Sequence, residues 1–310
     1  MEYNVETIAE TLPKINKEYF LPALQREFVW DSKRICELFD SLMRSYPIST
    51  FLLWDVPEMA RDHVEIYRFL DSISETGKHN ERVRAFNISK VAFVLDGQQR
   101  FTSIRVGLEG TYEARRKYVR KGESPFIVQR MFLDLLRNGH EPDSNGEVTY
   151  GFQFRENRWD RDAYWFEVAR ILDQRTGIDD LVRTTVEQVK GSRGASPQQL
   201  ETVESNLRRL HAVVYQDRSI CYHTEQHSDP ERMLDIFVRA NSGGRPLSKA
   251  DLLLSNLTVH WKHLNARDEI KRFVDELDEK LNKGLDRPKR AVQQDFVLKS
   301  CLVVLDLPVA

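Results

Sequence analysis

The sequence predicts an α+β fold: a mixed core over residues 1–160, and a mainly helical part over 161–310 that completes the same domain. Three observations predict it. Short apolar, β-prone runs, "ISTFLLWDV" and "VAFVLD", punctuate the first half; helical apolar spacing lies beside them; and from about residue 160 helix caps recur at regular intervals.

Taken in order, "DSKRICELFDSLMRSYP" places Ile35, Leu38, Phe39, Leu42 and Met43 at helical spacing behind an Asp31/Ser32 cap. The polar stretch between the two apolar runs, including "DSISETGKHNER", reads as a loop. "RFTSIRVGLEG" resumes helical spacing with Phe101, Ile104 and Leu108 on one face. "RMFLDLL" and "VTYGFQF" read as strands, and "ARRKYVRKGESP" as a basic, turn-bearing segment. Further on, "SPQQLETVESNLRRLHAVV" opens with a capping box of Ser196, Pro197 and Gln199. "SDPERMLDIFVRANSGG" repeats the device at Ser228 or Asp229 and stops at Gly243 and Gly244, and another helix starts at Ser248. Two more helices follow over 267–283 and 292–306, the first with Ile270, Phe273, Leu277 and Leu281 as its apolar stripe.

Composition narrows the function classes. Hydrophobic residues at 41% can fill a core, so a disordered chain is excluded. Lys plus Arg (46) nearly cancels Asp plus Glu (48), so any nucleic-acid contact must be a local patch. The scattered Cys36, Cys221 and Cys301 suit a reducing compartment. No membrane-length apolar run is present, and a cytoplasmic location with no membrane partner is the expectation.

The most unusual stretch is "FVLDGQQRFTSI", residues 93–104, where Asp96, Gly97, Gln98, Gln99 and Arg100 fall at a strand-to-helix junction. A glycine after a strand lets the backbone approach a ligand, and the helix start that follows offers unpaired N–H groups and partial positive charge to a phosphate. Asp96 could hold a divalent cation, Gln98 and Gln99 could orient water, and Arg100 could clamp phosphate oxygens in a bidentate fork. The alternative, a plain turn with solvated side chains, stays open on spacing alone, because the chain contains no Walker-type phosphate loop.

Two other stretches accompany it. "LPALQREFVWDSKRI" sets Gln25 and Arg26 just before Phe28 and Trp30, and "IFVRANSGGRPLSKADLLLSNL" sets Arg239, Asn241 and Gly244 at a helix junction. In this order the three resemble the GmrSD-type restriction endonuclease N-terminal domain family, which has a ParB/sulfiredoxin-like core; the resemblance runs from about residue 8 to the C-terminus. It implies a nucleoside triphosphatase that acts as a sensor in a prokaryotic DNA restriction or anti-phage system. The catalytic turn would be Asp96, Gln98, Gln99 and Arg100, with Gly97, Thr102, Arg239, Asn241 and Gly244 around the nucleotide and Mg2+ at Asp96. Gln25, Arg26, Phe28 and Trp30 would sense phosphate in modified, for example phosphorothioated, DNA. The implied partners are a nucleoside triphosphate, DNA, and a nuclease domain or subunit, with a homo-oligomer also compatible. Phe28 stands where tyrosine is common, which removes a hydroxyl donor, and Glu27 replaces a frequent proline with a negative charge. Sulfiredoxins carry a cysteine where this chain has Gln98, which argues against their thiol chemistry. A modified-DNA reader without turnover and a ParB-like nickase are the alternatives.

Other constellations are weaker. Cys221, His223 and His227 could ligate zinc only with a ligand from elsewhere. His260 and His263 read as a solvated helix face, and so does the basic run Arg115, Arg116, Lys117, Arg120 and Lys121 with Tyr112 and Tyr118 interleaved.

Overall fold

The computed structural model describes residues 2–304 except 24–27, 59–64, 75–79, 84–87, 117–118, 120–123, 141–148, 157–159, 161, 175–176, 228–229, 242–265, 284–291 and 293. Its first part contains β1 (Asn4–Glu6), α1 (Ile8–Thr11), β2 (Tyr19–Pro22), α2 (Ser32–Met43), β3 (Phe51–Asp55), β4 (Ile66–Tyr67), β5 (Ser72–Ser74), β6 (Arg82–Val83), β7 (Ala92–Asp96), α3 (Gln98–Leu108), β8 (Thr111–Arg115), β9 (Phe126–Asp134) and β10 (Gly151–Arg155). The second contains β11 (Trp165–Glu167), α4 (Asp179–Arg193), α5 (Pro197–Tyr215), β12 (Ile220–Glu225), α6 (Pro230–Asn241), α7 (Ala266–Asn282) and α8 (Gln294–Val304). The α+β class is therefore as the sequence predicts.

Two sheets carry the strands. The larger runs β1-β12-β3-β7-β2-β4-β6, and the smaller runs β10-β9-β8-β5 with β11 also paired to β9. β7 lies inside the larger sheet, parallel to β2 and antiparallel to β3, which is why "AFVL" is apolar at every position rather than alternating. Val94 faces the main core with Tyr19, Phe51 and Leu53. Phe93 and Leu95 face the other side, where Phe20, Trp54 and the α6 residues Met233 and Phe237 cover them. β12, from the helical part, closes the sheet between β1 and β3. The two stretches of sequence thus share one sheet.

Helix α3 lies between the sheets, and α2 packs beside it and on β10. Phe101 stacks on Phe51 at 4.1 Å between ring centroids, and at the other end of α3 a Cβ on Gly107 would sit 2.5 Å from the Phe39 ring and 3.1 Å from Met131 Sδ. Gly107 is small because α2 and β9 press on it from two sides. The far end of α2 is held by Arg209 of α5, which donates to the carbonyls of Met43 (2.7 Å) and Leu42 (2.8 Å) and pairs with Asp217. A cation at a helix C-terminus satisfies carbonyls that have no intrahelical partner. α5 itself starts with the expected capping box, Ser196 Oγ accepting from the Gln199 amide and Gln199 Oε1 from the Ser196 amide.

Several expectations need correction. The polar stretch after β3 contributes β4, β5 and β6, strands of two or three residues: β4 pairs with β2 and β6, and β5 with β8. α3 is buried almost all round, Thr102 and Ser103 included, because sheets flank it on both sides. "TYEAR" is strand β8, so the basic run does not begin on a helix, and Tyr112 is core, tilted on Phe154 at 5.2 Å. The apolar stripe of α7 centres on Ile270, Val274 and Leu277, packed with Val292 and Val297, while Phe273 and Leu281 are exposed. The helix start expected at Ser248 and its neighbours Gly243 and Gly244 lie outside the described residues. No helix among the described residues is long and apolar enough to cross a membrane.

Candidate functional site

The turn after β7 is built by Gly97 at φ +93°, a left-handed conformation that an L side chain resists. A Cβ there would also fall 2.1 Å from Phe51 Cδ1, so the Phe51 ring occupies the space a side chain would need. Gly97 is the N-cap of α3, and as a glycine it makes no side-chain cap hydrogen bond. A glycine cap brings no side chain to the first-turn amides of α3, the arrangement at which helix N-termini commonly meet anions.

Asp96 ends β7 at the mouth of the turn, opposite Leu52. Its Oδ2 lies 3.0 Å from Arg100 Nη2, and its side chain is 36% exposed against 12% for Arg100. Arg100 faces inward: it donates to the carbonyls of Ile48 (2.6 Å) and Thr50 (2.9 Å), and its guanidinium lies 4.4 Å over the Phe51 ring. Burial lowers its pKa, with Asp96 opposing the shift. The fork that could have clamped a phosphate instead fixes the segment between α2 and β3 and the Asp96 carboxylate. Gln98 donates from Nε2 to the Val94 carbonyl (2.8 Å). Thr102 is 4% exposed and bonds back to the Gln98 carbonyl at 2.9 Å.

Gln99 reaches out of the turn. Its Oε1 accepts from the Val29 amide at 3.0 Å, across 70 residues of sequence. This contact brings the second motif to the first. Phe28 and Trp30 are half-buried against the main core, Trp30 carries the Arg34 guanidinium at 4.9 Å, and Asp31 caps α2 by accepting from the Arg34 amide at 2.8 Å. With Val29 beside Gln99 and Phe39 beside Gly107, α2 and α3 run parallel and open at the same end. Two helix dipoles therefore place partial positive charge on one surface, and Lys33 and Arg34 add cations in the first turn of α2, where a helix alone favours acids. Gln25 and Arg26 lie outside the described residues.

The third motif approaches from the other face of the sheet. α6 begins beyond the end of β12 where Trp54 Nε1 donates to the His227 carbonyl (2.8 Å), and packs on Phe93 and Leu95. Because β12 is antiparallel in direction to β7, the course of α6 leads back toward the Asp96 end. Arg239, near its C-terminus, is 79% exposed and pairs with Asp235 one turn earlier at 3.0 Å. Asn241 is the last residue of the helix, and Gly244 lies outside the described residues.

Reading the sequence alone missed the carbonyls of Ile48 and Thr50, the Phe51 ring and the Val29 amide. Backbone groups carry no residue signature, and only the aromatic at position 51 could have suggested a stacking partner for arginine.

The other constellations do not assemble. Among the described residues no group of three or more His, Cys, Asp and Glu side chains could hold a metal ion. His223 Nδ1 faces the Glu2 carbonyl at 2.8 Å, and His227 lies past the end of β12. Burial pushes the Cys36 thiol up to about 12, the opposite of a thiolate nucleophile. His260 and His263 lie outside the described residues.

Fold and turn together define a class: α+β proteins with a strand–glycine–helix turn of anion-compatible geometry. The GmrSD restriction endonuclease N-terminal domain family matches residues 8–258, and the chain belongs to that family. It is a component of a DNA restriction and defence system, an enzymatic system whose partners include DNA and a nuclease component. No curated protein matches the chain.

Proposed function

We propose that the turn at Asp96–Arg100 binds and hydrolyses a nucleoside triphosphate, and that this chain is the nucleotide-dependent sensor of its restriction system. The observation that carries the reading is the N-terminus of α3 directly behind left-handed Gly97, a cap residue with no side chain of its own, with Asp96 held at its mouth. In this reading the first amides of α3 take a phosphate group, and the parallel dipole of α2 adds to the attraction. Arg100 positions Asp96 and places positive charge behind it. Gln98, anchored through Nε2 to Val94, offers its carbonyl oxygen to the attacking water. Magnesium bound with the triphosphate would be held by Asp96 and would neutralise charge on the phosphate oxygens. Arg239 and Asn241 would approach from α6, and a ParB/sulfiredoxin-like descent of the core belongs to the same proposal.

DNA recognition, including of phosphorothioate-bearing DNA, would fall to the segment from Gln25 to Trp30, whose half-buried aromatic pair adjoins the turn. This adjacency also suits a second reading, a modified-DNA reader without turnover.

The test is hydrolysis of ATP and GTP with magnesium by the purified protein, beside Asp96→Asn and Arg100→Ala. Asp96→Asn is expected to lower the rate by about a hundredfold or more. A rate unchanged in both variants would overturn the hydrolytic reading. Calorimetry with plain and phosphorothioate duplexes separates the reader, which would bind DNA and ignore nucleotide.

A further inference from the structure

The three long side chains of the turn divide their contacts. Gln98 bonds to Val94 within the preceding strand, and Arg100 bonds to Ile48, Thr50 and Asp96. Both brace the turn itself. Gln99 Oε1 accepts from the amide of Val29, a residue of the other motif.

We infer that Gln99 is a coupling residue rather than a catalytic one: through the Val29 amide it transmits the occupancy of the phosphate turn to Trp30 and the start of α2. The inference rests on the nucleotide reading above. Gln99 sits in the first turn of α3, beside the amides assigned to phosphate, so a ligand that draws those amides moves the base of its side chain. Its oxygen holds a backbone N–H one residue before Trp30 and two before Asp31, the cap of α2. The Arg34 guanidinium over Trp30 ties that segment to the first turn of α2. At the other end α2 is fixed by Arg209 on the carbonyls of Leu42 and Met43 and, alongside, by Phe39 on Gly107. Displacement at Val29 is therefore taken up by the N-terminal turn of α2 and its aromatic neighbours, not by sliding of the whole helix. The output is a change in how Phe28, Val29 and Trp30 are presented, with Val29 48% exposed on that surface.

The bond can be deleted from either side. Gln99→Met removes the acceptor at similar volume, Val29→Pro removes the donor and leaves Gln99 intact, and Gln99→Glu keeps an acceptor oxygen at the same reach. Trp30 emission is followed as the difference between each protein and its Trp30→Phe counterpart, since the chain has five tryptophans. Calorimetry with ATP and with GTP, each with magnesium, runs in parallel. The expected result is a nucleotide-dependent Trp30 signal in the wild type and in Gln99→Glu, absent in Gln99→Met and Val29→Pro. Val29→Pro should keep nucleotide affinity within about threefold, because the change is in communication rather than binding. A Trp30 response that persists in both deletion variants overturns the coupling, and so does a loss of affinity in Val29→Pro by more than about tenfold. If the wild type binds nucleotide and Trp30 does not respond, the coupling alone fails. If the wild type binds neither nucleotide, the reading of the site fails and the coupling goes with it.

Discussion

Gly97 answers to two constraints at once, its φ of +93° and the Phe51 ring 2.1 Å from where a Cβ would stand. Gly97→Ala is therefore expected to destabilise the protein by roughly 2–4 kcal/mol, from left-handed strain plus overpacking, measured as a lower denaturant midpoint. A second residue sets a pH dependence. Glu6 is only 14% exposed; burial pushes its carboxyl up, but hydrogen bonds from Lys14 (2.7 Å), Tyr222 (2.5 Å) and Thr11 (3.1 Å) outweigh that and hold it below its ordinary 4.5. A depressed folded pKa contributes stability that is present above the unfolded value and lost as pH falls through the folded one. Glu6→Gln should accordingly cost stability near neutral pH, and its deficit against wild type should shrink as pH falls below 4.5, measured by denaturant unfolding across that range.

At the level of elements, the parallel packing of α2 on α3 depends on the absence of a side chain at Gly107. Gly107→Ala gains helix propensity, but its methyl meets Phe39 at 2.5 Å, so a net loss of about 1–3 kcal/mol in unfolding free energy is expected. What the sequence disclosed here follows the range of the forces involved. The capping box at Ser196 and the strand-to-helix junction at Asp96 were legible because they are written in adjacent residues. The strands β4, β5 and β6 were not, because two or three residues acquire strand character only from partners such as β2 and β8. In the α7 stripe Ile270 and Leu277 were legible, but Phe273 was read in place of Val274, because the larger ring looks the more apolar while the neighbouring Val292 and Val297 decide which of them is covered. For the candidate site, the residue types of the turn could be read, but the inward course of Arg100 and the bond between Gln99 and Val29 depend on backbone groups 50 and 70 residues away.

The molecule as a whole carries a net charge of −2, so long-range attraction to DNA is not built into it. The DNA affinity that the proposed function requires should come from a few phosphates near the α2 and α3 openings. Its logarithm should fall with log salt more gently than a slope of about −4, measured by titrations at several salt concentrations. The order of strands in the larger sheet has a different kind of consequence. Asn4–Glu6 pairs with Ile220–Tyr222, and β12 in turn borders β3, whose other neighbour is the strand that ends at Asp96. On a ribosome adding roughly 5–20 residues per second, the nascent chain exposes the outer edge of β3 for on the order of ten seconds before β12 emerges to pair with it. A protein from a system that acts on DNA thus carries an open sheet edge on β3, the strand whose Phe51 packs on the turn, until synthesis has passed residue 225.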